Sequence, residues 1–261
     1  MAPEAVFAEK HIKSACRKRP LGNKLTVIAN RKGPRISMPH LLELFSGTGS
    51  VGRAFASRGW KVTSVDCDPR AEATWTCDVR ELSAATCTEL HGPVDLIWAS
   101  PPCTQYSCAR TKASTPRDLE GSDAIVAKVL ELADELGGAA GPAKFIMENP
   151  YTGLLRTRSV VAGIPIRVVD YCTYGAPYRK RTALWTNTSY TPGRPLCRHD
   201  CPASTGRRHN ERAQRGSFAG AGERGRRSQR LFALYALPPA LCGEIADWAS
   251  EEARKGEERE T

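Results

Sequence analysis

The sequence contains no long apolar run and few aromatic residues. Aromatic side chains make up 7% of its 261 residues, and no stretch reaches the roughly 18 consecutive apolar residues of a membrane-spanning helix. The first twenty residues also lack an apolar core of signal-peptide length. The sequence therefore predicts an intracellular protein without a membrane partner.

Cysteines spaced as in a disulfide framework are also absent, although the chain has ten cysteines. They are scattered, and several lie in apolar segments of strand length. Small secreted domains instead carry many cysteines at framework spacing. This distribution predicts free thiols in a reducing compartment, which is the cytoplasm, the nucleoid or the nucleus.

Acidic residues are too few to balance the basic ones, so the net charge is +10. The excess lies in two zones, because residues 1–38 carry nine Lys or Arg against two acids and residues 179–230 carry thirteen against three. Residues 39–178 are mildly acidic. Two basic zones that flank an acidic body are typical of a protein that binds a polyanion, and nucleic acid is the simplest candidate.

Changes in composition divide the chain into five parts. Residues 1–38 mix basic residues with Pro and Gly, which predicts a basic arm with one short strand at Lys24–Ala29. The parts that follow are a core over 39–190, a basic insertion over 191–230, a returning helix over 231–250 and a charged tail over 251–261.

A strand, a glycine turn and a helix open the predicted core. The apolar run LLELF stops at SGTGSVG, which contains Gly47, Gly49 and Gly52, and a helix-forming segment follows. Glycine lets the backbone turn sharply and approach a ligand beneath a helix N-terminus. The next strand ends in Asp66, where such folds place an acid on ribose hydroxyls, and Asp78 follows the strand after it. The alternative is an ordinary strand-to-helix turn without a ligand.

A cysteine and a carboxylate follow the next two strands. Strand Asp95–Ala99 breaks at two prolines, which donate no N–H and fix φ, so Cys103 lies on a rigid loop. After one helix, the strand KFIM leads into Glu148 and Asn149. Two such strand ends lie on the same edge of a parallel sheet. The alternatives are a structural thiol and a turn-forming acid.

Two last strands complete the predicted sheet. IRVVDYCTYG and RTALWTN are joined by APYRKR, a connection short enough for an antiparallel pair. The fold class is therefore α/β, with a mostly parallel sheet and a terminal antiparallel hairpin.

The basic insertion contains a possible metal site. Cys197, His199, Cys201 and His209 lie close together in sequence. A C-x3-C followed by a histidine can hold zinc, but the spacing matches no standard zinc finger. The pattern leaves metal binding open.

In this order the motifs resemble those of the DNA cytosine-5 methyltransferase family. The segments that carry the resemblance span residues 40–250 and are LELFSGTGS, VDCD, CDV, SPPCTQYS, MENP, YGAPYRKR and LPPALCGEIA. The Pro-Pro-Cys and Glu-Asn pair is the most specific part. The chain departs from the family at Pro150, where valine is usual, and at Tyr178, which stands where the arginine motif normally has glutamine. The target-recognition region is reduced to about residues 191–230.

The resemblance implies a Rossmann-like methyltransferase fold and S-adenosyl-L-methionine as the cofactor. It assigns cofactor contacts to Phe45, Ser46, Gly47, Thr48, Gly49, Asp66, Cys67, Asp78, Val79 and Pro101. It makes Cys103 the nucleophile and Glu148 the acid at ring nitrogen 3, and an arginine of the Arg179 and Arg181 pair would hold the ring carbonyl.

These residue types suit methylation at carbon 5 of cytosine. Addition of a thiolate at carbon 6 makes carbon 5 nucleophilic, and cysteine is reactive near neutral pH. The base must be flipped out of a duplex to reach the site, and the basic zones would hold the phosphates. The expected partner is double-stranded DNA, with a protein partner as a possible source of sequence specificity. The alternatives are an RNA cytosine-5 methyltransferase and a non-catalytic protein of the same fold that binds nucleic acid.

Overall fold

The computed structural model of the chain describes residues 17–18, 38–110, 113–213 and 235–260. The strands are β1 (Arg17–Lys18), β2 (His40–Leu44), β3 (Lys61–Asp66), β4 (Trp75–Thr76), β5 (Leu96–Ala99), β6 (Phe145–Pro150), β7 (Ile166–Asp170), β8 (Tyr178–Arg179), β9 (Arg181–Thr186), β10 (Ser204–Thr205), β11 (Arg208–His209) and β12 (Glu211–Arg212). The α-helices are α1 (Ser50–Ala56), α2 (Ala84–His91), α3 (Leu119–Gly137) and α4 (Pro239–Glu260).

Eight strands form one mixed sheet in the order β1-β4-β3-β2-β5-β6-β9-β7. The strands from β4 to β6 are parallel, and β9 lies antiparallel between β6 and β7. The predicted α/β fold with a mostly parallel sheet and a terminal antiparallel hairpin is therefore confirmed. The carboxyl ends of β2, β3, β5 and β6 share one edge of the sheet, and the candidate site lies there.

Helices cover both faces of the sheet. Leu42 packs into a cluster that includes Val129 of α3, whereas its neighbour Leu41 packs into a second cluster with Phe55 of α1 and Leu241 of α4. Adjacent residues of a strand point to opposite faces, so one short strand supplies both clusters. Full burial of each such side chain stabilises the fold by about 1.5–3 kcal/mol. This burial fixes the strand ends that carry the site.

The last helix is longer than the sequence predicts. The prediction places a returning helix over 231–250 and a separate charged tail, but α4 continues to Glu260. The tail is rich in helix-forming residues, and Lys255 Nζ lies 3.0 Å from Glu252 Oε1 one turn earlier. Residues 251–260, which were predicted as a separate charged tail, are therefore the last turns of α4. No helix in the described ranges is both long enough and apolar enough to cross a membrane.

The structure differs from the sequence prediction at two other elements. Helix α2 has no counterpart in the sequence analysis, and the Ser83 side chain caps it by accepting a hydrogen bond from the Thr86 N–H at 3.1 Å. The strand predicted at Lys24–Ala29 lies outside the described residues. Within the described part of the N-terminal arm, β1 is a short strand that pairs with β4.

Candidate active site

The glycine turn between β2 and α1 has a left-handed backbone. Gly47 and Gly49 have φ values of +49° and +64°, and the intervening chain closes with a hydrogen bond of 2.7 Å from the Gly49 N–H to the Ser46 carbonyl. Side chains with a Cβ disfavour this region, which explains both glycines. Phe45 also has a positive φ of 58°, so the turn stores local strain. Strain of this kind concentrates at ligand-binding sites.

Gly52 has a different role from the one predicted for it. It lies inside α1, and a Cβ at this position would lie 2.4 Å from Glu43 Oε2. Its N–H donates a hydrogen bond of 3.0 Å to Glu43 Oε1. Burial raises the pKa of Glu43 to about 7. The sequence analysis missed Glu43, although a charged residue inside the apolar run LLELF was the available signal.

Asp66 joins the glycine turn to the end of β3. Its carboxylate accepts hydrogen bonds from the Gly47 N–H at 2.9 Å and from the Asp68 N–H at 2.8 Å. The pKa of the Cys67 thiol is raised, mainly because the thiol is partly buried and secondly because the negative charges of Asp66 and Asp78 lie nearby. These predicted cofactor residues therefore lie together at one sheet edge.

Asp78 is already engaged by a neighbouring arginine. Its carboxylate accepts hydrogen bonds from the Arg80 backbone N–H at 2.9 Å and from the Arg80 side chain at 2.6 and 3.0 Å. These bonds lower the pKa of Asp78, with the Arg80 side chain as the largest cause. Val79 follows as a buried core residue.

The glycine turn has the features of a nucleoside-binding site. A cavity of about 550 Å³ is lined by Ser46, Gly47, Thr48 and Gly49, although it does not include Asp66. The Ser46 hydroxyl is buried in this lining without a hydrogen-bond partner. A buried polar atom without a partner is costly, so a ligand that supplies one is favoured. The residues present therefore fit the predicted S-adenosyl-L-methionine.

The cysteine loop leaves the sheet directly after β5. The Ser100 N–H donates to the Leu44 carbonyl at 3.3 Å, and the Pro101 carbonyl accepts a hydrogen bond of 2.8 Å from Asn149 Nδ2. The loop is also anchored by Tyr106, which is fully buried and donates from its hydroxyl to Asp123 at 2.8 Å. Cys103 is partly exposed between these anchors. The thiol is thus held on a fixed, solvent-accessible loop, as predicted from the two prolines.

Glu148 lies on the strand next to the cysteine loop. Strands β5 and β6 are parallel neighbours, with Ala99 paired to Met147. The Glu148 side chain is buried and accepts a hydrogen bond of 3.2 Å from the Tyr171 hydroxyl. Lys180 Nζ lies 3.6 Å from the same oxygen. Burial, together with the charge of Glu148, raises the pKa of Tyr171 well above its ordinary value, so the phenol stays a donor.

The two arginines that were predicted to be catalytic bind the carboxylate of Asp170, whereas Lys180 between them lies near that of Glu148. Arg181 and Arg179 donate to the fully buried Asp170 at 2.8–3.2 Å. Burial alone would raise the pKa of Asp170, but the hydrogen bonds from Arg181 and Arg179 outweigh it and hold the pKa below its ordinary value. Alternate residues of an extended chain point to opposite sides, which puts Lys180 alone on the side of Glu148. The sequence analysis missed Lys180. The two-residue period could have separated Lys180 from the two arginines, but it does not show which carboxylate each side contacts.

The predicted metal ligands are brought together with one additional residue. Cys197, Cys201 and His209 form a group with Cys172, which lies in the turn after β7. His199 is beside the group, with its ring centroid 5.0 Å from that of His209, but it is not a member. None of the nine cysteines in the described residues forms a disulfide.

No protein-family profile matches the chain. A curated protein from Frog virus 3 (isolate Goorha), "Probable DNA (cytosine-5)-methyltransferase", is 35% identical to it over 219 residues, which are 79% of this chain and 98% of the viral protein.

Three solved structures are also similar, at much lower identity. The methyltransferase EhMeth of Entamoeba histolytica is 17% identical with a TM-score of 0.42, over 61% of this chain and 56% of that one. A DNMT2 variant of Spodoptera frugiperda is 17% identical with a TM-score of 0.39, over 66% and 57%. The S. pombe Dnmt2 methyltransferase is 15% identical with a TM-score of 0.38, over 59% and 51%. The chain thus spans just over half the length of these three proteins.

Proposed function

The chain belongs to the DNA cytosine-5 methyltransferase family, and we propose that it methylates carbon 5 of cytosine in DNA by way of a covalent cysteine adduct. The observation that carries this proposal is the pairing of Cys103 and Glu148. Cys103 lies in the loop after β5, and Glu148 lies near the end of the adjacent parallel strand β6, two residues before that strand ends at Pro150. Both are near the sheet edge where the glycine turn and Asp66 lie. A protein that only bound nucleic acid would need neither a thiol on a rigid loop nor a buried acid.

The glycine turn and Asp66 would hold S-adenosyl-L-methionine. When bound, this cofactor supplies an electrophilic methyl group on a sulfonium sulfur. The Ser46 hydroxyl would gain the hydrogen-bond partner that it lacks. Asp66 would accept from the ribose hydroxyls, and the left-handed turn at Gly47 would let the backbone approach closely. Asp78 would contact the cofactor only through the part of its carboxylate that the Arg80 side chain leaves accessible.

Cys103 would act first on the flipped base. Its thiolate forms a bond to carbon 6, and the electrons of the carbon 5–carbon 6 double bond make carbon 5 nucleophilic. Glu148 delivers a proton to ring nitrogen 3, which prevents negative charge from accumulating on the ring. After carbon 5 is methylated, its proton leaves to solvent and the thiolate is expelled, while ring nitrogen 3 returns its proton to the Glu148 carboxylate. The aromatic ring, the thiolate and the carboxylic acid are thereby all restored. Cysteine suits both steps because it attacks and leaves readily.

Tyr171 and Lys180 are proposed as positioning residues for Glu148. Both contact the same carboxylate oxygen, and the Lys180 ammonium also lies 4.9 Å from the centre of the Tyr171 ring. They would hold the acid in one rotamer. Arg181 would reach the ring carbonyl from its place on Asp170, because its side chain remains 30% exposed there.

Double-stranded DNA is the proposed substrate, held mainly through its phosphates. The described part of the basic insertion, residues 191–213, offers arginines but little apolar surface that would position side chains against bases. A protein partner is therefore the proposed source of sequence specificity.

A methyl-transfer assay tests this proposal. The full chain should transfer label from radioactive S-adenosyl-L-methionine to duplex DNA, and nucleoside analysis should recover the label as 5-methyl-2′-deoxycytidine. Single-stranded DNA and RNA of the same sequence are the matched substrates. Label found in RNA alone would favour the RNA alternative, and an absence of transfer to every substrate would favour a non-catalytic protein.

Replacing Asp66 with alanine should weaken cofactor binding about 10- to 150-fold. A hydrogen bond to a charged group contributes about 1.5–3 kcal/mol, which corresponds to that range. Calorimetry with S-adenosyl-L-methionine measures the change. Asp68→Asn is the matched control, because Asp68 lies in the same turn and its side chain binds only Arg70 among the described contacts. Unchanged affinity in Asp66→Ala would remove the ribose assignment.

A further inference from the structure

Three thiols and one imidazole converge beside the catalytic core. Cys172 belongs to the turn Tyr171–Tyr174 that follows β7, whereas Cys197 and Cys201 come from the loop that opens the basic insertion. His209 ends β11, the second strand of a small hairpin. All three thiols are buried. Four ligand-type side chains thus reach one point from three separate pieces of chain.

The distances fit one tetrahedral metal ion. The Sγ atoms of Cys197 and Cys201 each lie 3.4 Å from His209 Nε2, and all four ligand atoms lie within 4.8 Å of one another. In a tetrahedral site with Zn–S bonds of about 2.3 Å and Zn–N bonds of about 2.0 Å, neighbouring ligand atoms are about 3.5–3.8 Å apart. Only small movements would be needed to complete the coordination.

Apolar packing alone gives this part of the chain little stability. The three thiols form a cluster of their own, against which Ala203 is the one partly buried hydrophobic residue packed among the described residues. Segments with so small a core are commonly held by a metal ion or by disulfides. The three cysteines form no disulfide with one another.

We propose that Cys172, Cys197, Cys201 and His209 bind one zinc ion that fastens residues 191–213 to the catalytic core. Three thiolates and one imidazole in a closed tetrahedral arrangement favour zinc over the harder cations. All four positions are filled by protein ligands, so the site is structural and would not itself take part in catalysis. Cys172 is the ligand that makes the site a link, because it belongs to the core.

The zinc would lie next to Asp170, the carboxylate that binds Arg179 and Arg181. The Cys197 N–H donates to Asp170 Oδ2 at 3.0 Å, and Asp170 also binds Arg179 and Arg181. Further along, β12 pairs with β8, so that Arg212 lies opposite Arg179. The metal would therefore fix both the basic insertion and the arginine pair relative to the sheet edge.

Elemental analysis of the purified full chain tests the site. The wild type should carry about one zinc per chain. Cys172→Ser and Cys201→Ser should each lose most of it, while Cys108→Ser should keep it, because Cys108 is exposed and far from the cluster in sequence. Wild-type protein that remains folded and takes up no zinc after dialysis against it would overturn the proposal, as would full zinc content in Cys172→Ser.

Limited proteolysis of the wild type gives a second readout that does not depend on any variant folding. Trypsin should spare Arg198, Arg207 and Arg208 in the zinc-loaded protein and cleave there after chelation, with protection restored by added zinc. Exposed sites in the core, such as Arg80, should be cleaved equally in both states. Identical cleavage of residues 191–213 with and without chelator would count against a metal that fastens them.

Discussion

Replacing Cys103 with serine should reduce methyl transfer to the background rate while leaving DNA binding intact. The hydroxyl has nearly the same shape as the thiol, but its alkoxide is scarcely populated at neutral pH, so attack on carbon 6 cannot begin. The loop itself should persist, because Tyr106 and the bond from Asn149 to the Pro101 carbonyl hold it. Labelled methyl transfer and a DNA-binding titration measure the two effects separately.

The matched control for this variant is Cys108→Ser. Cys108 lies five positions further along the same loop and donates from its thiol to the Thr152 carbonyl at 2.7 Å, a bond that serine can also make. Its activity should remain close to that of the wild type. If Cys103→Ser kept full activity and Cys108→Ser lost it, the nucleophile assignment would be wrong.

DNA that carries 5-fluorocytosine should trap the wild-type enzyme. Fluorine replaces the proton that must leave carbon 5 before the thiolate can be expelled, so the adduct accumulates. Trapping should require the cofactor, and peptide mapping should locate the adduct at Cys103. An adduct at Cys108 would contradict the mechanism, and so would stable trapping by Cys103→Ser.

Replacing Glu148 with glutamine should lower kcat by about 10²–10⁴-fold, which corresponds to about 2.7–5.4 kcal/mol of transition-state stabilisation. Glutamine can still accept the hydrogen bond from the Tyr171 hydroxyl, but it cannot deliver a proton to ring nitrogen 3. Cofactor affinity should change little, because the glycine turn and Asp66 belong to β2 and β3 and their connections. Steady-state kinetics together with calorimetry separate these two quantities.

Glu244→Gln is a matched control for the loss of a carboxylate that binds tyrosine. Glu244 lies on α4 and accepts hydrogen bonds from the hydroxyls of Tyr174 at 3.0 Å and Tyr190 at 2.8 Å. Its hydrogen bonds within the described residues go to these two hydroxyls and to the Gly193 N–H at 2.9 Å, and none goes to a predicted catalytic or cofactor-binding residue. Its variant should therefore keep turnover close to that of the wild type even if the protein unfolds at a lower temperature. Equal losses of turnover in the two variants would indicate a general packing effect and would refute the role of Glu148 as the acid.

The strand ends that carry the site could be predicted because local chemistry sets them. Two prolines must stop β5, so the cysteine loop follows from the sequence. The positive φ values of Gly47 and Gly49 explain why glycine occupies the turn. The α/β fold class and the antiparallel hairpin were predicted from local patterns of this kind, the family was predicted from the resemblance of its motifs, and all three are confirmed. The roles of Cys103 and Glu148 remain predictions.

The partners of the charged residues could not be predicted in the same way. Strand β9 lies between β6 and β7, and this insertion decides that Arg179 and Arg181 meet Asp170 while Lys180 meets Glu148. A short connection predicts that two strands are neighbours, but it does not reveal that a third strand borders one of them.

By itself the sequence determined the fold class, the order of most elements, the glycine turn after β2 and the break after β5, because these depend on periodicity, proline and glycine within a few positions of one another. Only the tertiary structure decided which side chains meet. Cys172 precedes Cys197 by a long stretch that includes β8 and β9, and no local pattern marks it as a partner of the cysteines in the basic insertion. Such contacts arise when the sheet assembles and brings distant segments to one edge. The physical reason is that side-chain pairing depends on strand order, which non-local packing sets.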